Sequence, residues 1–242
     1  MISQTETPRT DFVAVERERM RREYQRRARD VEPNRYAASQ PFARFEVEVR
    51  NRRAERLLRS HQLFPKPGDD CLEVGFGSQG WFTQLISWGV QETELHGIEL
   101  DPERAARARD LFPKADLRLG DAVNLPWDSG TFKLVIASTI FTSILDPRVR
   151  RLIADEIVRV MAPGGALLWY DFAYDNPRNR NVRGIPRREI RQLFPGLRGG
   201  IQRVTLAPPL GRIVVPRSRA LATFLEGIPL LRTHLLAVLT KA

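Results

Sequence analysis

Glycine and acidic side chains recur at the ends of short apolar runs in the central part of this chain. Gly75, Gly77 and Gly80 follow the run that begins at Cys71, and Glu73 lies within that run. Glycines at this spacing let a backbone turn tightly and approach a ligand with no Cβ in the way. The helix expected next would offer free N–H groups at its N-terminus. The spacing predicts a ligand-binding turn, although a strand–helix turn without a ligand has the same pattern.

Two further acidic residues follow the next apolar runs along the chain. Glu99, followed by Leu100, lies roughly 20 residues after the glycines, where a carboxylate can accept hydrogen bonds from ribose hydroxyls. Asp121 and Ala122 follow the third run, so that Asp121 can receive an exocyclic amine. Because the carboxyl ends of parallel strands meet at one edge of a sheet, these residues should converge. The sequence therefore predicts a site for an adenosine-containing ligand.

The elements that must position these residues alternate, from Gly68 onward, between short apolar runs and amphipathic helical stretches. This order predicts an α/β fold with a doubly wound, mostly parallel sheet and helices on both faces. The run at 132–138 is almost entirely apolar, which is typical of a strand covered on both faces. The predicted strands are 71–74, 94–99, 116–119, 132–138, 166–171, 201–206 and 234–240, and the predicted helices are 81–88, 102–111 and 147–161.

The first 60 residues differ from the rest, because they contain two strongly charged helical stretches, 12–32 and 42–58. We therefore expect an N-terminal helical cap over 1–60 and a ligand-binding domain over 61–242. The cap has too few apolar anchors to fold alone, so it should pack over the mouth of the sheet as a lid. Its predicted inward side chains, facing the segment 171–188, are Tyr36, Phe42 and Phe45.

The composition excludes several classes of protein. With 42% hydrophobic residues among 242, the chain is too apolar to be disordered and long enough to bury a core. Cys71 is the single cysteine, which excludes a disulfide scaffold. No apolar run approaches the ~18 residues of a spanning helix, and the first residues lack the apolar stretch of a signal peptide. We therefore expect a cytoplasmic protein.

The net charge of +10 is distributed unevenly. Residues 1–60 carry 15 basic and 10 acidic side chains, residues 171–242 carry 13 and 4, and the part between them is net acidic. A basic flank attracts phosphate, nucleic acid, anionic lipid or an acidic small molecule. A general preference for arginine, with 35 Arg and 4 Lys, would also produce this pattern.

The chain resembles class I S-adenosylmethionine-dependent methyltransferases over residues 68–171. The motifs that carry the resemblance are Glu73-x-Gly75-x-Gly77, Gly97-Ile-Glu99, Gly120-Asp121-Ala122-x-x-Leu125-Pro126, Phe132-x-Leu-Val and Pro163-Gly164-Gly165. The resemblance implies a seven-stranded sheet whose last strand runs antiparallel, and S-adenosylmethionine as the cofactor. Phe76 departs from the Cys, Ser or Ala usual in the family, but it leaves the glycine pattern intact.

The resemblance also implies roles for individual residues. Gly75 and Gly77 would line the methionyl part of the donor, and Glu99 would hold the ribose hydroxyls. Asp121 and Ala122 would contact adenine. The remaining predicted donor-site residues are Glu73, Gly80 and Leu100, with Ala137 and Ser138 facing the transferring methyl group.

Two other functions share part of this pattern. A nicotinamide-dependent dehydrogenase has the same glycines and acidic residue, but the Gly120-Asp121-Ala122 loop and the turn at 163–165 fit it less well. A regulatory module that binds the nucleotide without catalysis would keep the same site. No metal site is expected, because His61, His96 and His234 are scattered along the chain.

The acceptor should lie against the segment that follows the fifth strand, which is rich in Asn, Arg, Tyr and Asp. These types suit a polar or anionic small molecule, such as a glycan unit or natural-product precursor. Asp171 is the predicted catalytic base and Tyr174 the second candidate. RNA is the alternative acceptor because of the basic flanks, and the amphipathic stretch 214–231 allows peripheral contact with a membrane or lipid-linked substrate.

Overall fold

The computed structural model describes residues 9–30, 40–177 and 179–241. Within them, eight helices, three short 3-10 helices and seven strands alternate in the predicted order. The helices are α1 (Arg9–Asp30), α2 (Pro41–Ser60), α3 (Phe82–Ser87), α4 (Pro102–Leu111), α5 (Pro147–Val160), α6 (Arg187–Leu193), α7 (Pro208–Val214) and α8 (Arg219–Glu226), and the 3-10 helices are Glu92–Glu94, Phe141–Ser143 and Pro229–Leu231. The strands are β1 (Cys71–Val74), β2 (Leu95–Glu99), β3 (Asp116–Leu119), β4 (Phe132–Ser138), β5 (Met161–Phe172), β6 (Leu197–Leu206) and β7 (Arg232–Lys241).

The seven strands form one sheet in the order β3-β2-β1-β4-β5-β7-β6. The pairs from β3 to β5 are parallel, whereas β7 runs antiparallel to both β5 and β6. The predicted doubly wound, mostly parallel sheet with an antiparallel last strand is therefore confirmed. Because β5 and β6 run in the same direction, the carboxyl ends of six strands lie at one edge of the sheet.

Helices cover both faces of the sheet, and the alternation along β5 shows how. Leu167 and Trp169 point into a core with α5 and α6, whereas Leu168 and Tyr170 point into a second core with α2, α3 and α4. The 12-residue strand β5 is longer than predicted, since it begins before the glycine pair at 164–165. No helix within the described ranges combines the length and apolarity needed to cross a membrane.

The two N-terminal helices form where the sequence predicts them, but they pack against different parts of the molecule. Ala54 and Leu58 of α2 are fully buried in the second core, so α2 packs directly on the sheet. Phe42 and Phe45 also belong to α2, and the prediction that they face the segment 171–188 is wrong. They pack instead with Leu206, Val215 and Ala222, because α2 crosses β6 and β7 and reaches α7. Tyr36 lies outside the described residues.

Candidate functional site

The glycine turn after β1 has the backbone conformation that the sequence requires. Gly75, Gly77 and Gly80 have φ of +71°, +64° and +55°, a region that residues with a Cβ rarely adopt. The Gly75 N–H donates to the carbonyl of Ile98 over 2.8 Å, which ties the turn to β2. A Cβ on Gly77 would meet no atom within 4 Å, so the surface there is open to a ligand.

Glu73 lies beneath the turn rather than on its surface. Its side chain is buried, and Oε2 accepts the Trp81 N–H over 2.6 Å. A Cβ on Gly80 would overlap with this oxygen, so position 80 has to be glycine as long as the Glu73 carboxylate lies here. Burial raises the pKa of Glu73 to about 8. These contacts give Glu73 the task of holding the turn in shape.

Glu99, at the end of β2, is also buried and contacts the same turn. One carboxylate oxygen accepts the Gly77 N–H over 2.7 Å, and the other accepts the N–H groups of Leu100 and Asp101 over 2.9 and 3.0 Å. Four predicted donor-site residues, Gly75, Gly77, Glu99 and Leu100, are thus brought together at the ends of two neighbouring strands. The Glu99 carboxylate is held in place by backbone alone.

Asp121 and Ala122 follow β3, next along the same edge. The Asp121 Oδ1 accepts the Val123 N–H over 3.1 Å, which orders the loop. Its Oδ2 accepts from Nε of Arg17 over 2.7 Å. Since Arg17 belongs to α1, the first helix reaches directly onto the predicted adenine subsite.

Further contacts place α1 across the mouth of the sheet. Met20 is buried in the same core cluster as Ile98 and Ala122. The Arg104 guanidinium lies 4.5 Å from the ring of Tyr24. Burial raises the pKa of Tyr24, and the negative charge of Glu99 adds to this effect. The sequence alone does not show that Met20 and Tyr24 pack beside the predicted donor site.

Ala137 and Ser138, at the end of β4, are both buried. Thr139 follows with a φ of +55°, an unusual value for a β-branched residue, and its N–H donates to the carbonyl of Tyr170 over 2.7 Å. The side chain of Ile140 lies where a Cβ on Gly75 would make contact. The end of β4 therefore adjoins the glycine turn, as the predicted position for the methyl group requires.

Asp171 is buried, and its carboxylate is fully engaged. Oδ1 accepts the Thr142 hydroxyl over 2.7 Å and the Phe172 N–H over 2.9 Å, and Oδ2 accepts the Thr142 N–H over 3.1 Å. Burial raises its pKa to about 6. In this arrangement Asp171 anchors the short helix Phe141–Ser143, and its catalytic role stays a prediction without support from these contacts.

Tyr174 lies two residues beyond β5 and is half-exposed. The Arg203 guanidinium is 5.3 Å from its ring. The next residue, Asp175, accepts the Gly184 N–H over 2.8 Å, which closes the polar segment into a loop. The same segment contacts α1, because Asn181 Nδ2 donates to Glu23 over 2.7 Å.

A polar cluster that the sequence analysis missed lies between α2 and the sheet. The Tyr170 hydroxyl donates to Oε1 of Glu46 over 3.2 Å and lies 2.9 Å from the hydroxyl of Thr205. The His234 ring stacks on Tyr170 with centroids 4.8 Å apart. Burial lowers the pKa of His234 to about 3, so the ring is neutral at neutral pH. Only the spacing of Glu46 and Arg50, one helical turn apart, signals this cluster in the sequence.

The Arg50 guanidinium connects this cluster to the glycine turn. It lies 4.0 Å from the Trp81 ring and 5.6 Å from the Tyr170 ring. Its Nε donates to Asn51 over 3.0 Å, and among the described residues its two Nη atoms have no hydrogen-bond partner. A half-buried guanidinium with free donors is suited to bind a carboxylate or phosphate.

Comparison with known proteins places this geometry among methyltransferases. A family model described as a methyltransferase domain matches residues 71–165, the part that contains the glycine turn, Glu99 and Asp121. The chain is 29% identical over 135 residues to norajmaline N-methyltransferase of Rauvolfia serpentina, covering 52% of this chain and 44% of that protein. It is 33% identical over 111 residues to the phthiotriol/phenolphthiotriol dimycocerosates methyltransferase of Mycobacterium leprae, covering 45% and 40%. The matched part thus spans less than half the length of these curated relatives.

Solved structures show the same fold over nearly the whole chain. The N-methyltransferase NodS from Bradyrhizobium japonicum, in complex with S-adenosylhomocysteine, superposes with a TM-score of 0.65 at 18% identity and covers 92% of this chain and 98% of its own. A 1,6-didemethyltoxoflavin-N1-methyltransferase from Burkholderia thailandensis superposes with a TM-score of 0.61 at 15% identity, covering 100% and 93%. At these identities the likeness establishes the fold.

Proposed function

Because this chain belongs to the class I S-adenosylmethionine-dependent methyltransferases, we propose that it methylates an oxygen or nitrogen of a polar or anionic small molecule. A glycan unit or a natural-product precursor has this chemistry. The observation that carries the proposal is that the glycine turn, Glu99, Asp121 and the polar segment after β5 all lie at the carboxyl edge of one sheet. The curated relatives are named for unrelated acceptors, so the acceptor has to be argued from this chain alone.

The residues at the edge of the sheet fit S-adenosylmethionine. The open surface at Gly77 leaves room for the methionyl part, and Glu99 can exchange a backbone hydrogen bond for the ribose hydroxyls. Asp121 and Ala122 would hold adenine once Arg17 has released the Asp121 carboxylate. When bound, the donor supplies an electrophilic methyl group. The protein's task is to align the acceptor with it, which removes much of the entropic barrier.

We assign Arg50 to the carboxylate of the donor. Its Nη donors have no partner among the described residues, and its guanidinium stacks on Trp81, the residue after Gly80. A charge-assisted, bidentate bond at that point would fix the methionyl end of the donor. The methyl group would then lie toward the end of β4, where Ala137 and Ser138 are.

We propose Glu46 as the group that receives the acceptor's proton, beside the earlier candidates Asp171 and Tyr174. Burial raises the pKa of Glu46 above its usual value, and a carboxylate of raised pKa is a more effective base at neutral pH. Its side chain is a quarter exposed, whereas Asp171 is fully engaged in hydrogen bonds. The Tyr170 hydroxyl holds Glu46 toward the sheet.

Incubation with methyl-labelled S-adenosylmethionine and cell extract, fractionated into RNA, protein, lipid and small molecules, tests this function. We expect label in the small-molecule or glycan fraction, and clearly less with the Glu99→Ala protein at a donor concentration below its dissociation constant. Calorimetry should show micromolar binding of S-adenosylhomocysteine and none of nicotinamide dinucleotides. Tight dinucleotide binding without S-adenosylhomocysteine binding would overturn the donor assignment.

An RNA acceptor is the second candidate, because residues 171–242 carry 13 basic and only 4 acidic side chains. RNA binding through these arginines would weaken steeply as salt increases. Label in the RNA fraction, lost at high salt, would favour this candidate over a small molecule.

A further inference from the structure

The connection between β6 and β7 exposes large apolar side chains on its outer surface. This segment consists of α7, α8 and the 3-10 helix Pro229–Leu231, with α7 and the 3-10 helix both packed against α8. Four of its side chains are largely exposed, namely Ile213 at 59%, Leu221 at 47%, Phe224 at 69% and Leu230 at 84%. The inner side of the segment has its own partners, since Val215 and Ala222 pack with Phe42 and Phe45. The outward-facing side chains therefore take no part in packing the core.

The exposed charges on this segment are all positive. Across residues 207–241, all of which the structure describes, Glu226 is the single acidic residue. It is buried and paired with Arg53 at 3.1 Å and Arg232 at 3.4 Å. The exposed charges are instead those of Arg212, Arg217 and Arg219, of which Arg219 pairs with Glu48 of α2 at 2.5 Å. The outer surface thus combines apolar side chains with arginines.

We propose that this surface docks peripherally onto an anionic lipid bilayer. Apolar side chains flanked by cations are suited to the interface of such a bilayer, where rings and alkyl groups enter the headgroup layer and arginines meet phosphate. Charge complementarity favours this partner over a second copy of the chain, because two copies would bring like charges together at the same face.

The docked face adjoins the acceptor side of the molecule. The segment begins two residues after β6 and leads into β7, whose His234 stands opposite Phe172 at the end of β5. A bilayer against α7 and α8 would therefore lie near the acceptor segment 171–188. This step rests on the proposed methyl transfer: the position suits an acceptor that is carried by, or dissolved in, the membrane surface.

Vesicle sedimentation of the full chain, without donor or acceptor, tests the docking independently of methyl transfer. Vesicles of phosphatidylcholine mixed with phosphatidylserine should bind the protein at least about tenfold more tightly than phosphatidylcholine alone, and added salt should weaken the binding. The double variant Phe224→Ser, Leu230→Ser should lose binding about tenfold or more. Leu111→Ser, at a similarly exposed leucine on α4, is the matched control and should bind as the unchanged protein does.

Both serine variants should keep the melting temperature, because the replaced side chains are exposed, and circular dichroism checks this. Equal binding to both vesicle types, or equal binding by the double variant, would overturn the proposal. A dimer in sedimentation velocity that the double variant dissociates would also overturn it, since the surface would then be an interface between copies. Intact docking with no methylated product would leave the docking standing and refute the methyl transfer alone.

Discussion

At the scale of single residues, three buried carboxylates at strand ends show how hydrogen-bond partners decide the role of a side chain. Glu73 is buried under the glycine turn, Glu99 faces three backbone N–H groups, and Asp171 is pinned by Thr142. The sequence places all three at the carboxyl edge of the sheet. Of the three, Glu99 accepts the N–H of Gly77, where the surface is open, so it is the carboxylate that we predict to share its oxygens with a ligand's hydroxyls.

Glu99→Ala should lower the affinity for S-adenosylhomocysteine at least about tenfold, because each hydrogen bond to a charged acceptor contributes ~1.5–3 kcal/mol. It should also lower the melting temperature of the ligand-free protein, since three backbone N–H groups lose their acceptor. Glu99→Gln is the control, because it keeps the shape and one acceptor oxygen. Calorimetry and thermal unfolding measure both effects, and an unchanged affinity of the Ala variant would contradict the assignment.

Glu73→Gln should change how stability depends on pH. Burial raises the pKa of Glu73 from 4.5 to about 8, so the folded protein binds this proton more tightly than the unfolded chain. The resulting stability is fully present below the unfolded pKa and is lost as the pH rises through the folded value. Glutamine cannot ionise and still offers an oxygen to the Trp81 N–H. In urea unfolding, the variant should lose less stability than the unchanged protein between pH 5 and about 9.

The pKa of Asp171 is raised to about 6. Its ionisation therefore also lowers the stability of the fold as the pH rises, but at lower pH than that of Glu73. The Glu73→Gln protein should therefore keep a decline of stability near that pH and lose the decline near pH 8. Parallel curves for the two proteins over the whole range would show that Glu73 is not protonated in the fold.

At the scale of elements, we predict that Gly80 of the glycine turn serves folding and that Gly77 serves ligand binding. Gly77→Ala and Gly80→Ala both place a Cβ at positive φ, which costs on the order of 1–3 kcal/mol. At Gly80 the new methyl group also overlaps with the Glu73 carboxylate, whereas at Gly77 it points into open space. Gly80→Ala should therefore lower the melting temperature clearly more than Gly77→Ala, and Gly77→Ala should lower the affinity for S-adenosylhomocysteine. Equal losses of stability would contradict this division of roles.

The sequence predicts the elements well because periodicity, glycine and proline are local signals. All seven predicted strands and both N-terminal helices are present, and the glycine turn has the expected positive φ. The missed contacts join residues far apart in the chain, such as Arg17 with Asp121 and Glu46 with Tyr170. Helix packing decides such pairs, and the pattern of a charged helix does not show which strand edge it will cover. Phe42 and Phe45 illustrate this, because the sequence correctly predicts that they face inward but not that they pack against α7 and α8.

At the scale of the whole molecule, α1 joins the predicted donor site to the predicted acceptor segment. It reaches Asp121 through Arg17 and the loop after β5 through Glu23 and Asn181. Between these contacts Met20 enters the core beside Ala122. In the predicted donor site, adenine would take a place that α1 now covers, so we expect α1 to move when the donor enters and to exclude water when it closes again.

Typical free energies of an exposed ion pair and of a buried methionine indicate which of the two contacts holds α1 more strongly. The Arg17–Asp121 pair is partly exposed, and pairs of this kind contribute about 1 kcal/mol or less, which is roughly fivefold in an equilibrium. Truncating a buried methionine to alanine typically costs ~2–5 kcal/mol. Met20 should therefore hold α1 more strongly than Arg17 does.

Hydrogen exchange of the α1 amides tests this lid. Met20→Ala should speed exchange in α1 by at least about thirtyfold, Arg17→Gln by about fivefold at most, and Arg22→Gln, on the exposed side of the helix, hardly at all. S-adenosylhomocysteine should slow the exchange of α1 in the unchanged protein, because the helix closes over the bound ligand. Met20→Ala should also bind S-adenosylhomocysteine faster in stopped-flow mixing, since the covered state is less populated. If the ligand leaves α1 exchange unchanged and Met20→Ala binds it at the original rate, α1 is a fixed wall of the site and the lid is ruled out.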